Sequence, residues 1–279
     1  MRRILFIVLF ALVFLAGLSI LLYPVVSDSI NSRKQEQSVS LYFAAIENLS
    51  QQDFTELFEA ANLYNEGLRN KPNRFIMDEE ENAEYRSLLN PLGTGALATL
   101  EIEIIDIHLT IYHGTDEGVL QVGLGHFEGS SLPVGGPGTH TVITGHRGLP
   151  SSTLLTNLDR LVIGDTFHIN VLGERLAYTI DQIKIVLPHE TEELVIVPGY
   201  DYATLVTCTP YGINTHRMLV RGFRADNDEA GTHTRAVVIS SGARVITGPV
   251  AALLFFIPAL IVVTVMLFLT LRRIYRRGN

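Results

Sequence analysis

The chain holds a single cysteine, Cys208, within Thr204-Leu205-Val206-Thr207-Cys208-Thr209-Pro210. The β-branched and apolar residues ahead of it predict a buried strand. Pro210, Tyr211, Gly212 and Asn214 then break the chain into a loop, and Arg217-Met218-Leu219-Val220-Arg221-Gly222 predicts a second strand. Two neighbouring strands joined by so short a loop can bring a thiol and a guanidinium to one mouth. A cation beside a thiol favours the reactive thiolate, and a guanidinium can donate hydrogen bonds to an oxyanion. A lone cysteine in a strand is more often a small buried hydrophobe. Here the threonine and proline flanks, the arginine close behind and the extracytoplasmic placement argued below turn the reading toward chemistry.

A cysteine nucleophile needs a base or an ion-pair partner. Thr139-His140-Thr141-Val142-Ile143-Thr144-Gly145-His146-Arg147-Gly148 supplies one. Thr141 to Thr144 reads as a strand, and His146 follows at its exit between two glycines that allow close backbone approach. A histidine in such a place is often a plain surface residue, so spacing alone does not decide its role.

Three longer stretches carry a resemblance: LPVGGPGTHTVITGHRGLP (Leu132 to Pro150), IYHGT (Ile111 to Thr115) and TLVTCTPYGINTHRMLVRG (Thr204 to Gly222). Together they resemble the class C sortases, the pilin-polymerising sortases of Gram-positive bacteria, over roughly Leu88 to Arg224. The resemblance implies a closed eight-stranded β-barrel. It places the family's histidine on His146, its nucleophile on Cys208 and its arginine on Arg217, and assigns no chemistry to His140 and His216, which are read as structural. The implied activity is cleavage of an LPxTG-like signal between Thr and Gly through a thioacyl-enzyme. Transfer to a lysine amine of the next pilin follows, with pilin subunits as partners and no cofactor or metal. Class C sortases commonly carry a lid with an Asp-Pro-aromatic motif over the active site. Residues 70 to 85 lack that tripeptide, with Phe75 and Asp78 as the available substitutes, so a weakly closing lid is the expectation. A cell-wall cysteine hydrolase, a wall-anchoring sortase acting on a peptidoglycan amine, and a non-catalytic scaffold for pilus subunits are the other readings.

These residues must be carried by an anchored domain. Ile4 to Val26 is an almost unbroken apolar run behind Arg2-Arg3, long enough to span a bilayer. No convincing small-residue cleavage site follows it, so an uncleaved anchor is expected rather than a signal peptide. Val250 to Leu271 is a second run, followed by Arg272, Arg273, Arg276 and Arg277. Arginines outside both runs predict a two-pass cell-membrane protein with both termini cytoplasmic and the middle outside. All 29 acidic residues lie between the runs, against 15 of the 21 basic ones. That net charge of −14 argues against nucleic acid as a partner and suits a soluble ectodomain.

The expected organisation is a cytoplasmic N-terminus (1–3), an anchor (4–26), N-terminal helices with a lid loop (27–87), the catalytic barrel (88–225), a linker (226–249), a second membrane helix (250–271) and a basic cytoplasmic tail (272–279). Val39, Tyr42 or Phe43, Ile46 and Leu49 share a helical stripe. Ser50 and Asp53 predict the start of a second amphipathic helix carrying Phe54, Leu57, Phe58, Ala61 and Leu68. Asn70 to Tyr85 reads as an acidic loop, and its run Asp78-Glu79-Glu80-Glu81 lacks the alternation of a calcium loop. Strands are predicted at Leu97 to Ile104, Thr110 to Tyr112, Val119 to Gly125, Thr141 to Thr144, Thr166 to Leu172, Arg175 to Val186, Leu194 to Val197, Thr204 to Thr207 and Arg217 to Phe223, and a short helical crossover at Leu154 to Leu161. Many short strands with regular turn signals indicate a barrel or sandwich, and the resemblance selects the barrel.

Overall fold

The computed structural model describes residues 2–225. The expected linker, second membrane helix and basic tail lie outside the described residues. The first element is one long helix, α1 (Arg2–Glu47), interrupted by no break at Pro24. It is the one helix among the described residues long and apolar enough to cross a membrane. The anchor and the first amphipathic helix, expected as separate elements, are thus continuous in secondary structure. The chain divides into compact units between Ser29 and Ile30, and the unit beginning at Ile30 holds the barrel.

Within that unit, α1 lays Ser38, Tyr42 and Ile46 against the sheet. The buried Tyr42 hydroxyl donates to Leu97 O (2.9 Å) and accepts from Leu172 N (3.0 Å). The next helix, α2 (Gln51–Leu68), starts with the expected capping box, in which Ser50 and Asp53 satisfy each other's backbone N–H groups. Its Asn65 clamps the backbone of Leu132 through both amide atoms, at 3.0 and 2.7 Å. A third helix, α3 (Glu79–Ser87), occupies the second half of the stretch read as loop. The acidic run explains it: Asp78 is the N-cap, Glu81 completes a capping box, and the acids of the first turn complement the helix dipole.

The strands are β1 (Ala96–Ile102), β2 (Ile107–His113), β3 (Leu124–His126), β4 (Thr139–Thr144), β5 (Thr166–Val171), β6 (Glu174–Val186), β7 (Asp201–Thr209) and β8 (His216–Arg224). They close into a barrel in the order β1-β2-β3-β4-β7-β8-β6-β5. Pairs β2·β3 and β4·β7 are parallel and the others antiparallel. Leu97, Leu100, Ile111, Ile143, Phe167, Ile169, Tyr178, Leu205 and Val220 fill the interior.

Three readings of local structure change. Val119 to Gly125 is not one strand: Glu117–Val122 is a short helix, α4, and only Leu124–His126 pairs, as β3. The alternation Val-Leu-Gln-Val fits either period over so few residues, and contact with the neighbouring strands decides. Leu194 to Val197 contributes no strand but follows a 3₁₀ turn at Glu192–Leu194. The crossover at Leu154 to Leu161 narrows to a 3₁₀ turn at Leu158–Arg160.

Candidate active site

Strands β7 and β8 are antiparallel, and their register sets Cys208 directly opposite Arg217, between the pairs Thr209↔His216 and Thr207↔Met218. Opposed residues present their side chains on one face, with Cβ atoms about 5 Å apart. Strand β4 runs parallel to β7 through six pairs at constant offset, from Thr139↔Asp201 to Thr144↔Val206. The registration continues past the strand end, where Gly145 N donates to Val206 O (3.1 Å) and Thr207 Oγ1 donates to Gly145 O (2.8 Å). Two residues beyond the last pair, His146 therefore stands level with Cys208. The register thus sets Cys208 and Arg217 on one rung of β7 and β8, and the continuation of β4 carries His146 to the same level.

Close packing fixes the exit of β4. A Cβ on Gly145 would lie 2.6 Å from Leu124 Cδ2 and 2.9 Å from Leu155 Cδ1. The His146 carbonyl accepts from Leu155 N (3.2 Å). Gly148, at φ +78°, lets the ring of Tyr211 approach, so the loop after β4 and the loop after β7 share a wall.

The face is set by alternation. Ala203, Leu205 and Val220 point into the main core, so Cys208 and Val206 face outward. Val206 and Leu219, a facing pair two residues from Cys208 and Arg217, belong with Val142, Leu194, Phe75 and Phe127 to a separate apolar patch outside the barrel. Cys208 is half-buried beside it. Arg217 Nη1 donates to His216 O (3.1 Å) and Asn214 O (3.3 Å). Its remaining N–H groups have no protein partner among the described residues, and remain available to an oxyanion or a substrate carbonyl.

His140 and His216 sit near this rung but differ from His146. His140 is buried; its Nδ1–H donates to Val195 O (2.8 Å), and its Nε2 accepts from Thr204 Oγ1 (2.7 Å). Burial pushes its pKa down to about 4, so it is a neutral cross-link between β4, β7 and the segment before β7. His216 meets the hydroxyl of its neighbour Thr215 (2.9 Å).

Two more residues border the rung, and the sequence offers only the first of them, as a substitute lid aromatic. Phe75 packs edge-on against Phe127 (5.2 Å between centroids) in the apolar patch, and Arg74 Nη2 donates to Leu194 O (2.5 Å) while lying over the Phe75 ring. The backbone seats tightly, since a Cβ on Gly129 would fall 2.0 Å from Arg74 O. The segment expected to close weakly is therefore pinned by aromatic and cation–π packing without a proline-fixed motif. The other residue is Glu117, at the start of α4, whose Oε1 lies 3.5 Å from His146 Nε2. Among the described residues no group of three His, Cys, Asp or Glu side chains could hold a metal.

A sortase domain model matches residues 100–225. The structure is similar to that of sortase C1 from Streptococcus agalactiae, at 44% identity and TM-score 0.67, covering 69% of this chain and all of that one. The chain belongs to the sortase family. Its enzyme type is accordingly that of a cysteine transpeptidase. Sortase C-1 from Streptococcus pneumoniae is also similar, at 42% identity and TM-score 0.61 over 68% of this chain and 98% of that one. Sortase D of Bacillus subtilis is 29% identical over 132 residues, and this sortase spans 64% of that protein's length.

Proposed function

We propose that this sortase polymerises pilin subunits through Cys208, His146 and Arg217. The observation that carries the assignment is the shared rung: the thiol faces a guanidinium across β7 and β8 and stands level with an imidazole at the exit of β4. In the reaction, Cys208 Sγ attacks the threonine carbonyl carbon of an LPxTG-like signal. Arg217 donates to the oxyanion, a contribution of about 3–4 kcal/mol for one positioned donor. The Thr–Gly bond breaks as His146 protonates the departing glycine amine, leaving a thioester on Cys208. A pilin lysine amine, deprotonated by His146, then attacks the thioester and releases the thiol. The S. agalactiae and S. pneumoniae neighbours are C-type sortases, which favours a pilin amine over a peptidoglycan amine or water as acceptor.

The same reading places the enzyme in the cell membrane. The apolar part of α1 is its N-terminal anchor, residues 30–225 form the helices and barrel outside, and 250–271 make a second span, with both termini in the cytoplasm. A reactivity assay tests the acceptor. With an LPxTG peptide and increasing concentrations of a lysine-containing pilin peptide, cross-linked product should replace hydrolysed product. Hydrolysis unaffected by amine would instead identify a hydrolase. A terminal tag digested by protease on intact wall-free cells would contradict the two-pass arrangement.

A further inference from the structure

His146 Nε2 is buried and has no hydrogen-bond partner among the described residues. The polar atom facing it is Glu117 Oε1, 3.5 Å away. Glu117 is held for that position. Its Oε1 accepts from Gln121 Nε2 (2.6 Å), one turn further along α4. The preceding Asp116 is tied to Arg86 at 2.9 Å, which fastens the start of this short helix to α3. The Glu117 carboxyl is held below the usual range, first by the Gln121 hydrogen bond and then by the nearby His146, so it is ionised at neutral pH. The other charges on the loop after β4 are already engaged, since the Arg147 guanidinium is paired with Asp159.

We propose that Glu117 is a positioning residue for His146: its carboxylate accepts the imidazole Nε2–H and thereby assigns Nδ1 to proton exchange with Cys208 and the departing amine. An imidazole has two ring nitrogens, and the partner of one decides the proton state of the other. A gap of 3.5 Å is longer than a hydrogen bond. Such contacts shorten when substrate binds and charge develops on the ring. The Glu117 side chain is 70% exposed, so solvent screens the attraction and the effect is modest. The proposal rests on the reading of His146 as the acid–base group.

The test uses the full 279-residue chain in detergent micelles, with the variants Glu117→Ala, Glu117→Gln and His146→Ala. Steady-state kinetics of peptide-to-amine transfer and nitrogen-15 spectra of histidine-labelled protein are recorded for each. Glu117→Ala should lower kcat by roughly 2–5-fold, the range that an exposed ion pair supports, at unchanged KM. The His146 signals should move from a single Nε2–H tautomer to a mixture. Glu117→Gln keeps an acceptor oxygen in place and should restore both readouts. Wild-type kcat and an unchanged tautomer in Glu117→Ala, with His146→Ala inactive, would overturn the proposal and leave the role of His146 standing. Wild-type turnover in His146→Ala would overturn the acid–base reading and the proposal with it.

Discussion

Phe75→Ala is expected to expose Cys208. The ring sits edge-on to Phe127 in the patch formed by Val142, Val206 and Leu219, and Val206 is the outward residue immediately before Cys208 on β7. Deleting a fully buried phenylalanine side chain costs about 3–5 kcal/mol. Phe75 is half-buried, so about 2 kcal/mol is the appropriate scale. That energy belongs to the arrangement in which residues 70–78 lie over the patch, and is absent when they swing away. The open population should then rise by about thirtyfold. The assay is the rate of alkylation of the full chain by a bulky maleimide, read without ambiguity because Cys208 is the only thiol. Ile76→Ala is the control: Ile76 is 75% exposed, and its loss should leave the rate within about twofold, as for surface substitutions in general. A Phe75→Ala rate equal to wild type would show that the aromatic seat does not govern access to the thiol.

Two further outcomes follow. Arg217→Lys keeps the charge but loses the planar fork that also holds the Asn214 and His216 carbonyls, so turnover of the peptide should fall by about 10² or more; wild-type turnover would remove Arg217 from the oxyanion role. Acid should destabilise the barrel, because burial pushes His126 down to about 3 and His140 down to about 4, whereas both return to about 6.5 in the unfolded chain. A depressed histidine contributes stability that is complete above about pH 6.5 and declines as pH falls toward the folded value, so going from pH 7 to 4.5 should remove about 2.5 kcal/mol per histidine. Asp201, raised by burial, shifts the balance the other way. Urea midpoints of the full chain at the two pH values check this, and equal midpoints would contradict it.

Elements governed by near neighbours along the chain form where their residues predict them. The Ser50–Asp53 capping box starts α2 where the spacing places it, and the β-branched runs at Thr141 and Thr204 are strands. The strand-loop-strand reading of Cys208 and Arg217 also survives, because a short loop leaves two strands few ways to pair. His146 is different. It joins the rung through a parallel pairing of β4 with β7 across a connection of some sixty residues that holds β5 and β6, and no local pattern encodes that partner. Only the family motifs pointed to it. Phe75 is legible only as an aromatic available to a lid; its packing partners are not, because Phe127, Val142 and Leu219 are distant in sequence. Glu117 precedes the strand expected at Val119 to Gly125, and its place beside His146 depends on the short helix α4 that replaces the start of that strand.

In the proposed reaction Cys208 carries the acyl group. Incubating the full chain with an LPxTG peptide in the absence of amine and measuring intact mass, followed by proteolytic mapping, tests it most directly. The wild-type chain should gain the mass of the acyl group ending at the peptide's threonine, lodged on Cys208, with the glycine-bearing fragment released and no adduct in Cys208→Ala. Fragment release by Cys208→Ala at the wild-type rate, or an adduct mapped to another residue, would contradict it.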